Sequence, residues 1–144
     1  MGLFRSSRGV DTSLPRDDRG FGSFDDYLYN LAPRSKRTKL VLANSNPYQD
    51  ELREIAETAG EETIETAISA RTLQAEGQDA PIEVRLFTGR RVSGPVGMVP
   101  RGLESVVDET LRRLDDKGLK ARIPARIEKR REGYRVVLLM GALK

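Results

Sequence analysis

Neither cysteine nor histidine occurs among the 144 residues of this chain. The missing cysteines exclude disulfide scaffolds, thiolate metal sites and cysteine nucleophiles, and they fit a reducing compartment. The missing histidines remove the usual general base at neutral pH, the Ser-His-Asp triad and the commonest ligand for zinc, copper and iron. Chemistry based on carboxylates or lysine stays open. A membrane-spanning helix needs a run of about 18 or more apolar residues, and the sequence has none. Met1 to Gly20 alternates arginine with aspartate and lacks the apolar centre of a signal peptide. A cytoplasmic location without membrane insertion is the expectation. Aromatic residues make up only 6% of the chain, which limits the rings that could stack on a base.

The charge is present in both signs but unevenly placed. The formal net charge is +3. Arg37 to Ala80 holds four basic and nine acidic residues, a balance of −5, whereas Lys117 to Lys144 holds nine basic and two acidic, a balance of +7. Positive potential therefore collects toward the C-terminal end, where a phosphate-bearing partner would be attracted; an ordinary solvated sheet face is the plainer reading of the same pattern.

A length of this order fits one domain, since such a core buries roughly two-thirds of the unfolded surface. Residues 1–22 are rich in Gly, Ser, Arg and Asp with scattered apolar positions, and read as a disordered arm. Residues 23–37 read as a short amphipathic helix, with Ser23 opening a capping box and Phe24, Tyr27, Leu28 and Leu31 on one face, followed by a basic linker after Pro33. Residues 38–144 form the single folded domain. Within it, Lys39 to Ala43 is a buried strand, and Asn46, Pro47 and Gln49 begin a helix whose core positions are Leu52, Ile55, Ala56 and Ala59, closed by Gly60. A strand from about Thr66, a polar turn over Ala75 to Ala80, and the alternating strand Ile82 to Leu86 follow. Val96 to Val99 pairs back as a hairpin. Leu103, Val106, Val107, Leu111 and Leu114 trace a second helix that stops at Gly118. Ala121 to Glu128 and Tyr134 to Met140 make a closing hairpin, in which Pro124 makes the first arm an edge or bulged strand and the more apolar second arm lies centrally. The fold class is α+β: a small, mostly antiparallel, barrel-like sheet with two main helices, behind the arm and the short N-terminal helix.

Glu61-Glu62 and Asp115-Asp116 are neighbours in sequence whose oxygens do not converge as a cation site requires, and the glycines near Arg90 and Pro95 match neither a Walker A loop nor a dinucleotide fingerprint. No catalytic constellation is recognisable, and no metal or cofactor is expected. The basic residues carry the functional reading. Arg122 and Arg126 are expected on one outward strand face about 13 Å apart, at roughly 3.3 Å per residue. Lys120, Lys129, Arg130 and Arg131 crowd the same region, and Arg90, Arg91 and Arg101 extend it. Such a stripe would track phosphates without reading sequence, with Tyr48 or Phe87 as the candidate stacking ring. Two rival readings accompany it. One is a protein-interaction module using the N-terminal aromatic helix or the edge strand with Pro124; the other is an enzyme using carboxylates or Lys39.

Three strings resemble the HIRAN domain family, including its actinobacterial relatives. Asn44 to Leu52 is similar to the family's first strand entering a helix through Tyr-Gln-Asp-x-Leu. Ala80 to Leu86 is similar to its alternating strand, and Gly94 to Arg101 to its Val-Gly-Tyr-Leu-Pro-Arg element before a helix. The resemblance spans Lys39 to Met140. It implies a small β-barrel with two helices that recognises DNA, in some members the free end of a single strand. The family's Asn-Pro-Tyr-Asp loop is here Glu76-Gly77-Gln78-Asp79, and Met98 stands where the family has tyrosine, so two rings of the family pattern are missing.

Overall fold

The computed structural model describes residues 13–143. Seven strands follow in chain order: β1 (Leu40–Val41), β2 (Ile64–Ala67), β3 (Glu83–Thr88), β4 (Arg91–Val92), β5 (Gly97–Met98), β6 (Pro124–Arg130) and β7 (Gly133–Leu138). Three α-helices accompany them: α1 (Gln49–Ala59), the five-residue α2 (Leu73–Gly77) and α3 (Glu104–Asp116). All strand pairings are antiparallel, in the order β1-β7-β6-β2-β3-β4, with β5 also on β3. The α+β class expected from the sequence is the one observed. The sheet curls without closing into a barrel. The segment after β1 meets β5 through an isolated bridge, where the amides of Ala43 and Met98 each donate to the other residue's carbonyl at 2.8 Å.

The core lies inside this curl. Leu40 and Leu42, Val84 and Leu86, and Val136 and Leu138 alternate inward as the period of two requires, and all are fully buried. Leu52 and Ile55 of α1, and Val106, Val107 and Leu111 of α3, close over them at helical spacing. Gly60 and Gly118 stop these helices at φ +63° and +73°, a left-handed conformation that costs other residues more. β7 lies between β1 and β6, as its apolar sequence predicts.

β6 is not the edge strand that Pro124 suggested; it lies between β7 and β2. The proline occupies its first position, opposite Glu65, where a missing N–H does not interrupt a ladder. The join to β2 continues past it, because Thr66 N donates to Ile123 O at 3.0 Å and Ile123 N donates to Thr66 Oγ1 at 3.0 Å. Beyond Ala125, β6 pairs with β7 alone, so its outer half keeps an open edge.

The helix start at Asn46 is a 3-10 turn over Asn46–Tyr48 that leads into α1, and neither Ser45 nor Asn46 caps it with its own side chain. The Asp18 carboxylate does so from 27 residues upstream: Oδ1 accepts from Ser45 N at 2.7 Å and Oδ2 from Asn46 N at 2.9 Å. The described part of the expected arm is thus docked, with Phe21 bridging Val41 through bonds of 3.0 and 2.8 Å. Residues 1–12 of that arm lie outside the described residues.

The N-terminal amphipathic helix is replaced by a three-residue 3-10 turn over Phe24–Asp26, capped by Ser23 Oγ. Tyr27 is already extended and bridges Pro33, and Leu31 turns through φ +66°. A short helix pays a nucleation cost that only packing repays, and here Tyr27 alone is buried while Phe24, Leu28 and Tyr29 face outward. Likewise β2 begins at Ile64, two residues before the expected start, and α2 replaces part of the expected polar turn, with Thr72 Oγ1 accepting from Ala75 N.

α3 differs from the expected pattern on its buried side, where Glu104 and Asp108 sit beside the apolar positions. Asp108 accepts from Arg71 N and from Arg71 Nε, both at 2.8 Å, while Arg71 Nη1 donates to Ala80 O at 2.8 Å. These bonds fasten the segment around α2 to the core. No helix among the described residues is long and apolar enough to cross a membrane.

Candidate nucleic-acid interface

The structure sorts the cations singled out from the sequence into two groups. Arg101 is held between two carboxylates, with Nη2 at 2.8 Å from Asp79 Oδ2 and Nη1 at 2.7 Å from Glu104 Oε2; it fixes the entry to α3. Arg122 precedes β6 instead of lying on it. Its Nη1 is 2.9 Å from Glu65 Oε1, and its guanidinium lies 4.0 Å from the centre of the Phe87 ring. Arg130 is bonded to Glu128 Oε1 at 2.8 Å through Nη2. The continuous stripe through Arg122 and Arg126 is therefore broken at Arg122, whose charge is met by β2 and whose ring contact belongs to β3.

The second group has no carboxylate partner among the described residues: Arg90, Arg91, Lys120, Arg126, Lys129 and Arg131. All six are exposed. Three of them lie on the outer half of the β6–β7 hairpin. Arg126 is opposite Val137, Lys129 is opposite Tyr134, and Arg131 occupies the turn. Strand alternation puts Arg126 and Lys129 on opposite sheet faces, so this end of the hairpin is positive on both. Lys120 lies in the connection after α3, and Arg90 and Arg91 lie at the β3–β4 turn.

Tyr134 was not among the residues singled out from the sequence. Its ring is 5.9 Å from Lys129 Nζ, within cation–π range. Its backbone is held at both ends by Gln49, whose Oε1 accepts from Tyr134 N at 2.8 Å and whose Nε2 donates to Tyr134 O at 3.1 Å. The available signal was an aromatic directly across a hairpin from a lysine, which becomes visible only when the register is known. Tyr48, the ring chosen from sequence, is partly exposed at the end of the 3-10 turn before α1.

A second concave feature separates α1 from the β3–β4 hairpin. This open groove, about 1030 Å³ in volume, has Ile55, Ile64, Phe87, Val92 and Pro124 among its apolar lining, Glu51, Glu54, Glu62 and Glu65 among its acids, and Arg91 at its basic side. Its negative balance makes it the wrong surface for phosphates. Among the described residues, no three carboxylates are grouped to hold a metal ion. Comparisons of the chain with protein-family models, curated proteins and solved structures find no match.

Proposed function

We propose that this protein is a non-catalytic nucleic-acid-binding module that works in the cytoplasm and binds through the outer half of its β6–β7 hairpin. The observation that carries this reading is the set of exposed cations without a carboxylate partner, Arg126, Lys129 and Arg131, on a hairpin that also presents the Tyr134 ring beside Lys129. A cation without a protein partner loses no existing ion pair when it meets a phosphate, and each phosphate it neutralises releases a condensed counterion. An aromatic ring on the same hairpin adds a sequence-tolerant stacking surface. Lys120, Arg90 and Arg91 extend the positive field, and Tyr48 offers a second ring. Arg101, Arg122 and Arg130 serve the fold first. The resemblance to the HIRAN family supports the same reading and favours single-stranded DNA or a DNA end as the ligand.

The test is fluorescence anisotropy of labelled single-stranded, duplex and recessed-end oligonucleotides over a salt series, comparing the wild type with Arg126→Glu/Arg131→Glu. The expected result is saturable binding with a log–log salt slope of about −0.7 per phosphate neutralised on single strands, and a loss of about tenfold or more in the variant. Absence of saturable binding at low salt and tens of micromolar protein would overturn the proposal.

A second reading has its own observation. Tyr29 is fully exposed, Phe21 is 70% exposed, and Phe24 and Leu28 accompany them on the docked N-terminal segment. Such a row of outward apolar side chains suits a protein-interaction module. Capture of a partner protein by Tyr29 and Phe21 would survive the Arg126→Glu/Arg131→Glu substitution, which separates the two readings.

A further inference from the structure

The groove between α1 and the β3–β4 hairpin combines three properties that no nucleic acid would use together. Its floor is apolar: Ile55 and Ile64 are the buried part, while Val92 is half exposed within it. One side is a strand edge, since β4 ends the ladder order and, among the described residues, pairs only with β3. Its charge is negative and partly unspent. Glu51 Oε2 accepts from Gly94 N at 3.0 Å and Glu65 is paired with Arg122, whereas Glu54 and Glu62 have no hydrogen bond or ion pair to their carboxylates among the described residues.

From these we infer that the groove is a docking site for a short extended segment of a partner protein that carries lysine or arginine next to valine, isoleucine or leucine. Charge complementarity selects this occupant. Two unpaired carboxylates near apolar side chains favour a cationic chain and repel acidic chains and phosphates. The open edge of β4 can hydrogen-bond an extended backbone, and alternate side chains of that backbone would then reach Ile55 and Val92 on one side and Glu54 and Glu62 on the other. The groove shares Arg91 with the proposed positive field but holds none of Arg126, Lys129 and Arg131, so the inference does not depend on nucleic-acid binding.

The probe is a fluorescein-labelled peptide alternating lysine with valine, with a glutamate-for-lysine peptide as control, titrated into the full chain and followed by anisotropy and by backbone amide shifts. Two variants approach the site from different sides: Glu54→Lys/Glu62→Lys reverses the exposed charges, and Val92→Asp places a charge on the floor. Thermal melts establish that each remains folded. The expected result is saturable binding of the basic peptide alone, with shifts at Val92 and Glu62, weakened about tenfold or more in both variants and unchanged in Arg126→Glu/Arg131→Glu. No saturation at about 1 mM peptide, where binding free energy falls to roughly −4 kcal/mol, would overturn it. Equal binding by the variants, or shifts confined to the β6–β7 hairpin, would overturn it as well. A self-associating protein whose dimer is abolished by Val92→Asp would assign the groove to a second copy and also overturn it.

Discussion

Asp18 and Arg135 bring opposite charges to within 4.0 Å of each other, and both side chains are almost wholly buried. Neither depends on the other alone. Asp18 caps the turn before α1 through Ser45 N and Asn46 N, while Arg135 Nη2 donates to Asn46 Oδ1 at 2.8 Å and to Asp17 O at 3.1 Å. The pair clamps the N-terminal segment, the entry to α1 and β7 at one point.

Removing either partner leaves an uncompensated buried charge, a change that typically costs about 3–5 kcal/mol. Asp18→Ala and Arg135→Ala are each expected to lose that much in urea denaturation, and the double variant to lose clearly less than the sum because the two share one network. A loss below about 1 kcal/mol for both single variants would show that the segment is not anchored there.

This clamp also shows where the sequence stops being legible. The strands other than the two-residue β4 and both main helices could be read because apolar period and glycine stops are local signals, as at Val84-Leu86 and at Gly60 and Gly118. The docking of residues 13–22 could not, since Asp18 meets partners 27 residues away and farther, and nothing in the polar stretch around it distinguishes a buried aspartate from a solvated one. The burial of Glu104 and Asp108 could not be read for the same reason: their cations, Arg101 and Arg71, lie outside α3. At the candidate interface, composition shows that basic residues collect toward the C-terminal end, but which of them have carboxylate partners depends on cross-strand neighbours. Glu65 reaches Arg122 only because β2 lies beside β6.

Tyr27 provides a second test. It is 3% exposed, and its hydroxyl has no hydrogen-bond partner among the described residues. Burial, reinforced by the negative charge of Asp26, pushes its phenol above the ordinary value of 10.0. The folded state therefore holds this proton more tightly than the unfolded chain, so the associated stability is complete below about pH 10 and is lost as pH rises from there toward the folded value. Tyr27→Phe removes an unsatisfied buried hydroxyl and is expected to stabilise the protein by about 1 kcal/mol at neutral pH. Its denaturation midpoint should also fall less steeply than the wild type's above pH 10. A destabilised Phe variant with an unchanged alkaline profile would rule out this description of the hydroxyl.

Gly97 marks the point where the sheet nearly closes. A Cβ added there would stand 2.8 Å from Ser45 Oγ and 2.9 Å from the backbone oxygen of Ala43, closer than such atoms approach. The neighbouring Met98 makes the bridge to Ala43, so the strain falls on the backbone link between the segment after β1 and β5. Gly97→Ala is expected to cost about 1–3 kcal/mol, as overpacking does. Amide exchange should accelerate at Ala43 and Met98 before it does at the β6–β7 ladder. Equal acceleration throughout would mean that the bridge has no independent role.

The separation of paired from unpaired cations makes the nucleic-acid reading testable residue by residue. Arg126, Lys129 and Arg131 have no carboxylate partner among the described residues, so replacing any one with alanine should leave the melting curve nearly unchanged. Each loss should flatten the log–log salt slope by about 0.7 on single strands, because one fewer counterion is released. Arg101 predicts the reverse. Its two carboxylates, Asp79 and Glu104, would be left without their cation, so Arg101→Ala should lower stability while the salt slope of the folded fraction stays the same. Arg122 falls between these cases, since breaking its contact with Glu65 frees a carboxylate near any bound phosphate. Arg122→Ala should therefore weaken binding by repulsion, and Glu65→Gln should strengthen it. If Arg101→Ala and Arg126→Ala changed the slope equally, the distinction between fold-bound and ligand-ready arginines would fail, and with it the assignment of the hairpin as the binding face.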